Sequence, residues 1–200
     1  MHCRKIIQLR LQLFFVAFIA SSPGFAAGNL DDPEKFPGNS WHLLVGAGSS
    51  HPGWGNTKET VKTTDFILRH KRPQVKARGK DWYMNRKSVL VEIPLTYLRE
   101  PDEPGMIGFT MNVNWTFIAS PKLQPYLFIG GGAVYTQAEI PGTSSQIKGS
   151  YQAGVGVDFM LGKLDMSLEY RYHHLSNGGF KEPNDSLNSD KLLLGFKLPF

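Results

Sequence analysis

Residues 106–118 read MIGFTMNVNWTFI. Ile107, Phe109, Met111, Val113, Trp115 and Phe117 fall on one side of an alternation, and Gly108, Thr110, Asn112, Asn114 and Thr116 on the other. Successive side chains of a β-strand point to opposite faces, so a period of two marks a strand and excludes a helix. One face is oily and bulky; the other carries amides and hydroxyls. That division suits a strand with one face in lipid and the other in a polar interior.

The same pattern recurs along the chain. VLVEIPLTY (89–97) sets Val89, Val91, Ile93, Leu95 and Tyr97 against Glu92 and Thr96. YQAGVGVDFML (151–161) sets Tyr151, Val155, Val157 and Phe159 against Asp158. KLDMSLEYRYH (163–173) gathers Asp165, Ser167, Glu169 and Arg171 on its polar face, and KLLLGFKLPF (191–200) gathers Leu192, Leu194, Phe196, Leu198 and Phe200 on its apolar one. Less regular segments at 41–48, 61–70 and 123–135 bring the expected number of strands to eight. Expected loops at 49–60, 98–105, 136–147 and 175–189 alternate with tight turns at 119–122 and 162–163, while the 71–81 connection is longer than the rule prefers. Long loops on one side and short turns on the other, with aromatic residues near both ends of the strands, describe an outer-membrane barrel. The fold expected is therefore all-β, an eight-stranded antiparallel transmembrane β-barrel of the outer membrane. Alternation alone also fits a soluble barrel or sandwich with the oily face inside. The charged and amide-rich opposite face and the terminal aromatic Phe200 favour the membrane form. Eight strands leave an interior that side chains can fill, so a pore is not expected.

The start of the chain has a different character. Arg4, Lys5 and Arg10 precede the apolar run LFFVAFIA (13–20), and Gly24 and Ala26 stand before a plausible cut. Residues 1–26 read as a secretory signal peptide, 27–40 as a flexible lead-in and 41–200 as the barrel. The single cysteine, Cys3, falls in that leader, so the exported chain has no thiol chemistry. Without the leader's three basic residues the +5 charge drops to +2, from 19 basic and 17 acidic side chains. Neither that balance nor the scatter of the basic residues suggests a nucleic-acid partner. No metal-ligand spacing is present and no cofactor is expected.

One stretch breaks the pattern. In HHLSNGGF (173–180) the alternation carries His174 and Ser176 onto the face that holds Leu164, Met166 and Leu168. Polar groups there would lie at the outer edge of the bilayer, where they are costly unless they work or reach the headgroups. A histidine two residues from a serine on one strand face can serve as general base to the hydroxyl. Polar residues closing a strand at the water interface are the plainer alternative. The loop HPGWGNTKE (51–59) adds His51 and Trp54, as a substrate contact or as packing over the barrel mouth.

The longer stretch HHLSNGGFKEPNDSLN (173–188), followed by a final strand, resembles the lipid A 3-O-deacylase family of outer-membrane enzymes. The resemblance implies a serine esterase that hydrolyses the acyl ester at the 3-position of lipid A. Its substrate would be lipid A or lipopolysaccharide, amid outer-membrane lipids. It implies Ser176 as nucleophile, His174 as base and Asn188 in the third catalytic place, where the family's best-described triad has a glutamate. Asp190 on the same face is an alternative acid, and Glu182 and Asp185 lie in the preceding loop. Asn177 and the backbone amides of Gly178 and Gly179 stand where an oxyanion could be held, or are ordinary turn residues. The other reading is a catalytically inactive small barrel with a structural or adhesive role. Whether two copies form a homodimer is left open.

Overall fold

The computed structural model of the protein describes residues 38–74, 77–100, 103–137, 140 and 142–199. The proposed signal peptide, most of the lead-in and Phe200 lie outside them. Eight strands form one closed antiparallel barrel in sequence order: β1 (Ser40–Ser50), β2 (Lys62–Pro73), β3 (Asn85–Glu100), β4 (Glu103–Phe117), β5 (Leu123–Thr136), β6 (Ile147–Leu161), β7 (Leu164–Ser176) and β8 (Leu187–Lys197). β8 closes the circle on β1, with Ser49 opposite Asp190 and Val45 opposite Leu194. Closure pairs each strand with a neighbour on both sides and leaves no open edge, as a sheet in lipid requires.

The orientation of the faces, which alternation could not decide, is plain in the structure. Met111 is 52% exposed and Ile129 58%, whereas Glu92 and Glu169 are fully buried. The oily side points outward and the barrel is filled with charge. Arg69 and Arg171 each bridge Glu92 and Glu169, at 2.6–2.9 Å. Tyr126 donates to Glu169 at 2.8 Å, Asn112 to Glu92 at 3.0 Å, and the Arg171 guanidinium lies over the Phe128 ring. Two cations against two carboxylates make a neutral square whose lone pairs and protons are largely engaged, the condition under which buried charge is tolerated. Substituting Glu92→Gln leaves two guanidinium groups with one carboxylate. It is expected to cost about 3–5 kcal/mol, read as a lower urea midpoint in detergent. An unchanged midpoint would show that the square contributes nothing.

The lumen is not polar throughout, contrary to the simple alternation. Val61, Leu98, Met106, Val134, Ile140, Leu175 and Leu187 form an apolar plug at the long-loop end. This layer accounts for strands that outrun their expected limits. β3 and β4 continue through most of the expected 98–105 loop, because Leu98 points inward into the plug and still pairs with Glu103, one register shift beyond Thr96. β7 likewise extends to Ser176 and β8 begins at Leu187, with Leu175 opposite Leu187 inside. The longer connection after β2 is a folded turn. Arg78 and Asn85 exchange backbone hydrogen bonds at 2.8 Å, and a single 3-10 turn at Asp81–Tyr83 closes it. The aromatic girdles stand where expected: Tyr97, Tyr135 and Tyr172 are exposed near the long loops, and Trp115, Phe117 and Phe159 half-buried near the short turns.

Candidate active site

β7 and β8 bring the predicted residues together. Their register sets His174 directly opposite Asn188, and Leu175 opposite Leu187. Odd-even parity then puts Leu175 inside and His174 and Ser176 outside, on the lipid face. His174 Nε2 lies 3.2 Å from Ser176 Oγ, and His174 Nδ1 lies 2.7 Å from Asn188 Oδ1. Both His174 and Ser176 are half-buried and reachable from outside.

Asn188 is more deeply held than its neighbours. Its Nδ2 donates to the Trp54 carbonyl at 2.7 Å, to Thr57 Oγ1 at 3.0 Å and to Ser186 Oγ at 3.1 Å. Its Oδ1 accepts from Tyr172 Oη at 2.6 Å. These partners fix which end of the amide faces His174, since the Trp54 carbonyl can only accept. The oxygen end can only accept in turn, so His174 carries its proton on Nδ1 and offers the Nε2 lone pair to Ser176. The tautomer is thus assigned by the network and is the one a general base needs.

Thr57 and Ser186 were not singled out from the sequence, and Tyr172 was expected only as a girdle aromatic. Thr57 accepts from the Asn188 backbone N–H at 2.8 Å and donates to the Ser186 carbonyl at 2.9 Å, clamping the β1–β2 loop onto β8. The same loop sets the Trp54 ring 6.3 Å from Tyr172 and 4.5 Å from His51. His51 and Trp54 therefore pack beside the trio, with the Trp54 backbone as the working contact. These contacts join residues some 130 positions apart, and no spacing in the sequence announces them.

The alternative acids go elsewhere. Asp190 lies opposite Tyr172, not His174. Its carboxylate accepts from His51 Nε2 at 2.9 Å and from Tyr170 Oη at 3.3 Å. Parity put Asp190 on the correct face, but register placed it one row away. Asp185 pairs with Lys58 at 2.9 Å, and Glu182 accepts from the Asn184 N–H at 3.1 Å.

Of the three oxyanion candidates, two are engaged in shaping the loop. The Asn177 side chain donates to the Lys181 carbonyl and accepts from the Gly179 N–H at 2.9 Å, while its own N–H donates to Asn184 Oδ1 at 2.9 Å. Gly178 and Gly179 both take positive φ, at 68° and 80°, which a side chain would strain. Only the Gly178 N–H is left without a partner among the described residues. Across the strand pair, Gly149 of β6 faces Ser176. A Cβ there would meet only the Ser176 carbonyl, at 3.7 Å, so open space lies beside the serine on the lipid side.

Comparison with known proteins bears on the family and the fold. The family model for lipid A 3-O-deacylase (PagL) matches residues 67–197, most of the chain and every strand from β3 to β8. The chain belongs to the lipid A 3-O-deacylase family. Among solved structures, the outer membrane enzyme PagL superposes with a TM-score of 0.55 at 21% identity, covering 78% of this chain and 99% of that one. Neisserial surface protein A superposes with a TM-score of 0.51 at 14% identity, covering 82% of this chain and 99% of that one. Both show the fold, an eight-stranded outer-membrane barrel. No curated protein matches the sequence. Within this lipid A 3-O-deacylase match lie His174 and Ser176, and Asn188, whose amide oxygen meets His174 Nδ1.

Proposed function

We propose that this protein is an outer-membrane serine esterase that removes the 3-O-linked acyl chain of lipid A. The observation that carries the proposal is the chain of contacts from Asn188 Oδ1 through His174 to Ser176 Oγ, at 2.7 and 3.2 Å, on the face that meets lipid. Ser176 Oγ attacks the ester carbonyl as its proton passes to His174 Nε2. The resulting imidazolium keeps its Nδ1–H on Asn188 and then gives its Nε2 proton to the sugar oxygen as the ester C–O bond breaks, so that the sugar leaves as a hydroxyl. Water, activated by the same nitrogen, releases the fatty acid from the acyl-enzyme. The Gly178 N–H is the donor available to the oxyanion, and a single such donor contributes about 10²–10³-fold to the rate.

Position within the wall makes the chemistry economical. An acyl ester of an outer-leaflet glycolipid lies at the level where Tyr97, Tyr135 and Tyr172 mark the interface, the same level as His174 and Ser176. The substrate need not leave the membrane. Export to the outer membrane, the serine chemistry and the 3-position together form this reading, supported by the family, the barrel and the trio.

A fluorophosphonate reagent tests the nucleophile directly. Mass spectrometry of the wild-type protein in detergent should find the adduct on Ser176, and His174→Ala should abolish it. An adduct on another serine, or none, would refute the assignment.

The open space beside Ser176 supports a second expectation. Gly149→Leu should fold normally, because nothing crowds the new side chain, yet lose about tenfold or more in kcat/KM as the side chain takes the room of the acyl chain. Comparing unfolding midpoints with lipid A turnover checks it. Unaltered turnover would place the acyl chain elsewhere.

A further inference from the structure

A recess of mixed polar and apolar lining opens on the outer wall beside the trio. It has a volume of about 300 Å³ and is lined by Ala47, Ser49, Lys62, Arg99, Tyr170 and Asp190. Asp190, Ser49 and Lys62 stand side by side on β8, β1 and β2, since Ser49 faces Asp190 on one flank and Lys62 on the other. Tyr172 of β7 faces Asp190 and begins the same row. Strands lie about 4.8 Å apart, so Lys62 is roughly 14 Å across the wall from β7. The row runs one step of the alternation away from His174 and Asn188.

Three features of the recess point to an anionic headgroup. Its floor is made of small side chains, Ala47 and Ser49, so a ligand can come close to the wall. Its cations stand at the depth of the headgroups. Arg99 follows the girdle residue Tyr97 by two positions on β3, and Lys62 lies beyond Thr64, the residue that faces Tyr97. Finally, Arg99 is exposed and makes no hydrogen bond or ion pair among the described residues. Asp190, the carboxylate among the described lining residues, is held by His51 and Tyr170. A guanidinium at a membrane interface presents a planar fork that matches phosphate in two-point contact.

We propose that this recess binds a phosphate group on the sugar of a glycolipid, with Arg99 as the forked ligand and Lys62 as a supporting charge. The bound headgroup would lie across β8 and β1 while one of its acyl esters rests at Ser176. The reading of Ser176 as an esterase nucleophile supplies the identity of the glycolipid; the binding itself does not need turnover.

The test uses Ser176→Ala protein in zwitterionic detergent micelles, titrated with phosphorylated lipid A, with the same lipid A stripped of phosphate, and with inorganic phosphate. Phosphorylated lipid A should bind about tenfold to a hundredfold more tightly than the stripped lipid, as expected for a charge-assisted contact. Arg99→Gln should erase that difference and Arg99→Lys should restore part of it. Because Arg99 is exposed and has no partner among the described residues, both variants should keep the wild-type unfolding midpoint. Millimolar inorganic phosphate should fail to compete, which separates a headgroup site from a general anion site. Equal affinity for both lipids, an Arg99→Gln protein with the wild-type preference, or displacement by inorganic phosphate would overturn the proposal. Phosphate-dependent binding without any deacylation by the wild type would instead sink the esterase reading and leave this site standing.

Discussion

Purified Ser176→Ala protein in detergent micelles is expected to release fatty acid from lipid A at least about 10⁴-fold more slowly than the wild type. The methyl group left behind cannot attack a carbonyl, and no other described serine contacts His174. His174→Ala should be nearly as severe, and the double variant hardly worse than either single one, because members of a catalytic unit are not additive. The oxyanion donor and the bound orientation of the substrate remain in all three, which keeps a residual rate above that of water. Initial rates of fatty acid release measure the effect. A Ser176→Ala protein within tenfold of wild type would remove the serine from the mechanism.

Asn188→Ala should lower the rate by about 10²-fold or more, since the base loses the group that sets its tautomer. The loss is expected in kcat. The ring-nitrogen NMR signals of His174 should shift from a single Nδ1–H tautomer to a mixture, a change that mere loosening of the loop would not produce. The neighbouring Asn188→Asp variant is informative in the other direction. A carboxylate could stabilise the imidazolium by charge, as the family's glutamate does. Here, however, its second oxygen would replace an Nδ2 that now donates to the Trp54 carbonyl at 2.7 Å. Two acceptors at that distance repel, so the aspartate protein is expected to be no faster than the wild type. The Tyr172 hydroxyl donates to the same Asn188 Oδ1 that faces His174. Full activity in Asn188→Ala, with an unchanged histidine spectrum, would show that the amide orients nothing.

The sequence disclosed most of the barrel because lipid and a charged lumen impose opposite demands on adjacent residues. Where that contrast holds, as at Met111 against Asn112, the strand is legible. It fails at the long-loop end, where Leu98, Met106, Leu175 and Leu187 face inward and make both sides of the wall apolar. The expected 98–105 loop is strand through 98–100 and 103–105, and the expected 175–189 loop yields only its first two and last three residues to β7 and β8. In the site, parity was enough to place His174, Ser176, Asn188 and Asp190 on the outer face. Register, which parity does not determine, separated Asn188 from Asp190. Thr57 and the Trp54 carbonyl could not be read at all. A backbone acceptor has no sequence signature, and the contact depends on how the β1–β2 loop folds down beside β8. The turn glycines had two readings, and the structure divides them: the Gly179 N–H closes the turn on Asn177, while the Gly178 N–H remains available.

The account rests on an ester reaching Ser176 from within the membrane, and the composition of that membrane is the most direct witness. Lipid A extracted from cells making the wild-type protein and from cells making Ser176→Ala should be compared by mass spectrometry. The prediction is a population lighter by one hydroxyacyl chain, lost from the 3-position, with the wild type alone. Full-length lipid A in both, with the two proteins equally folded in the outer membrane, would contradict it.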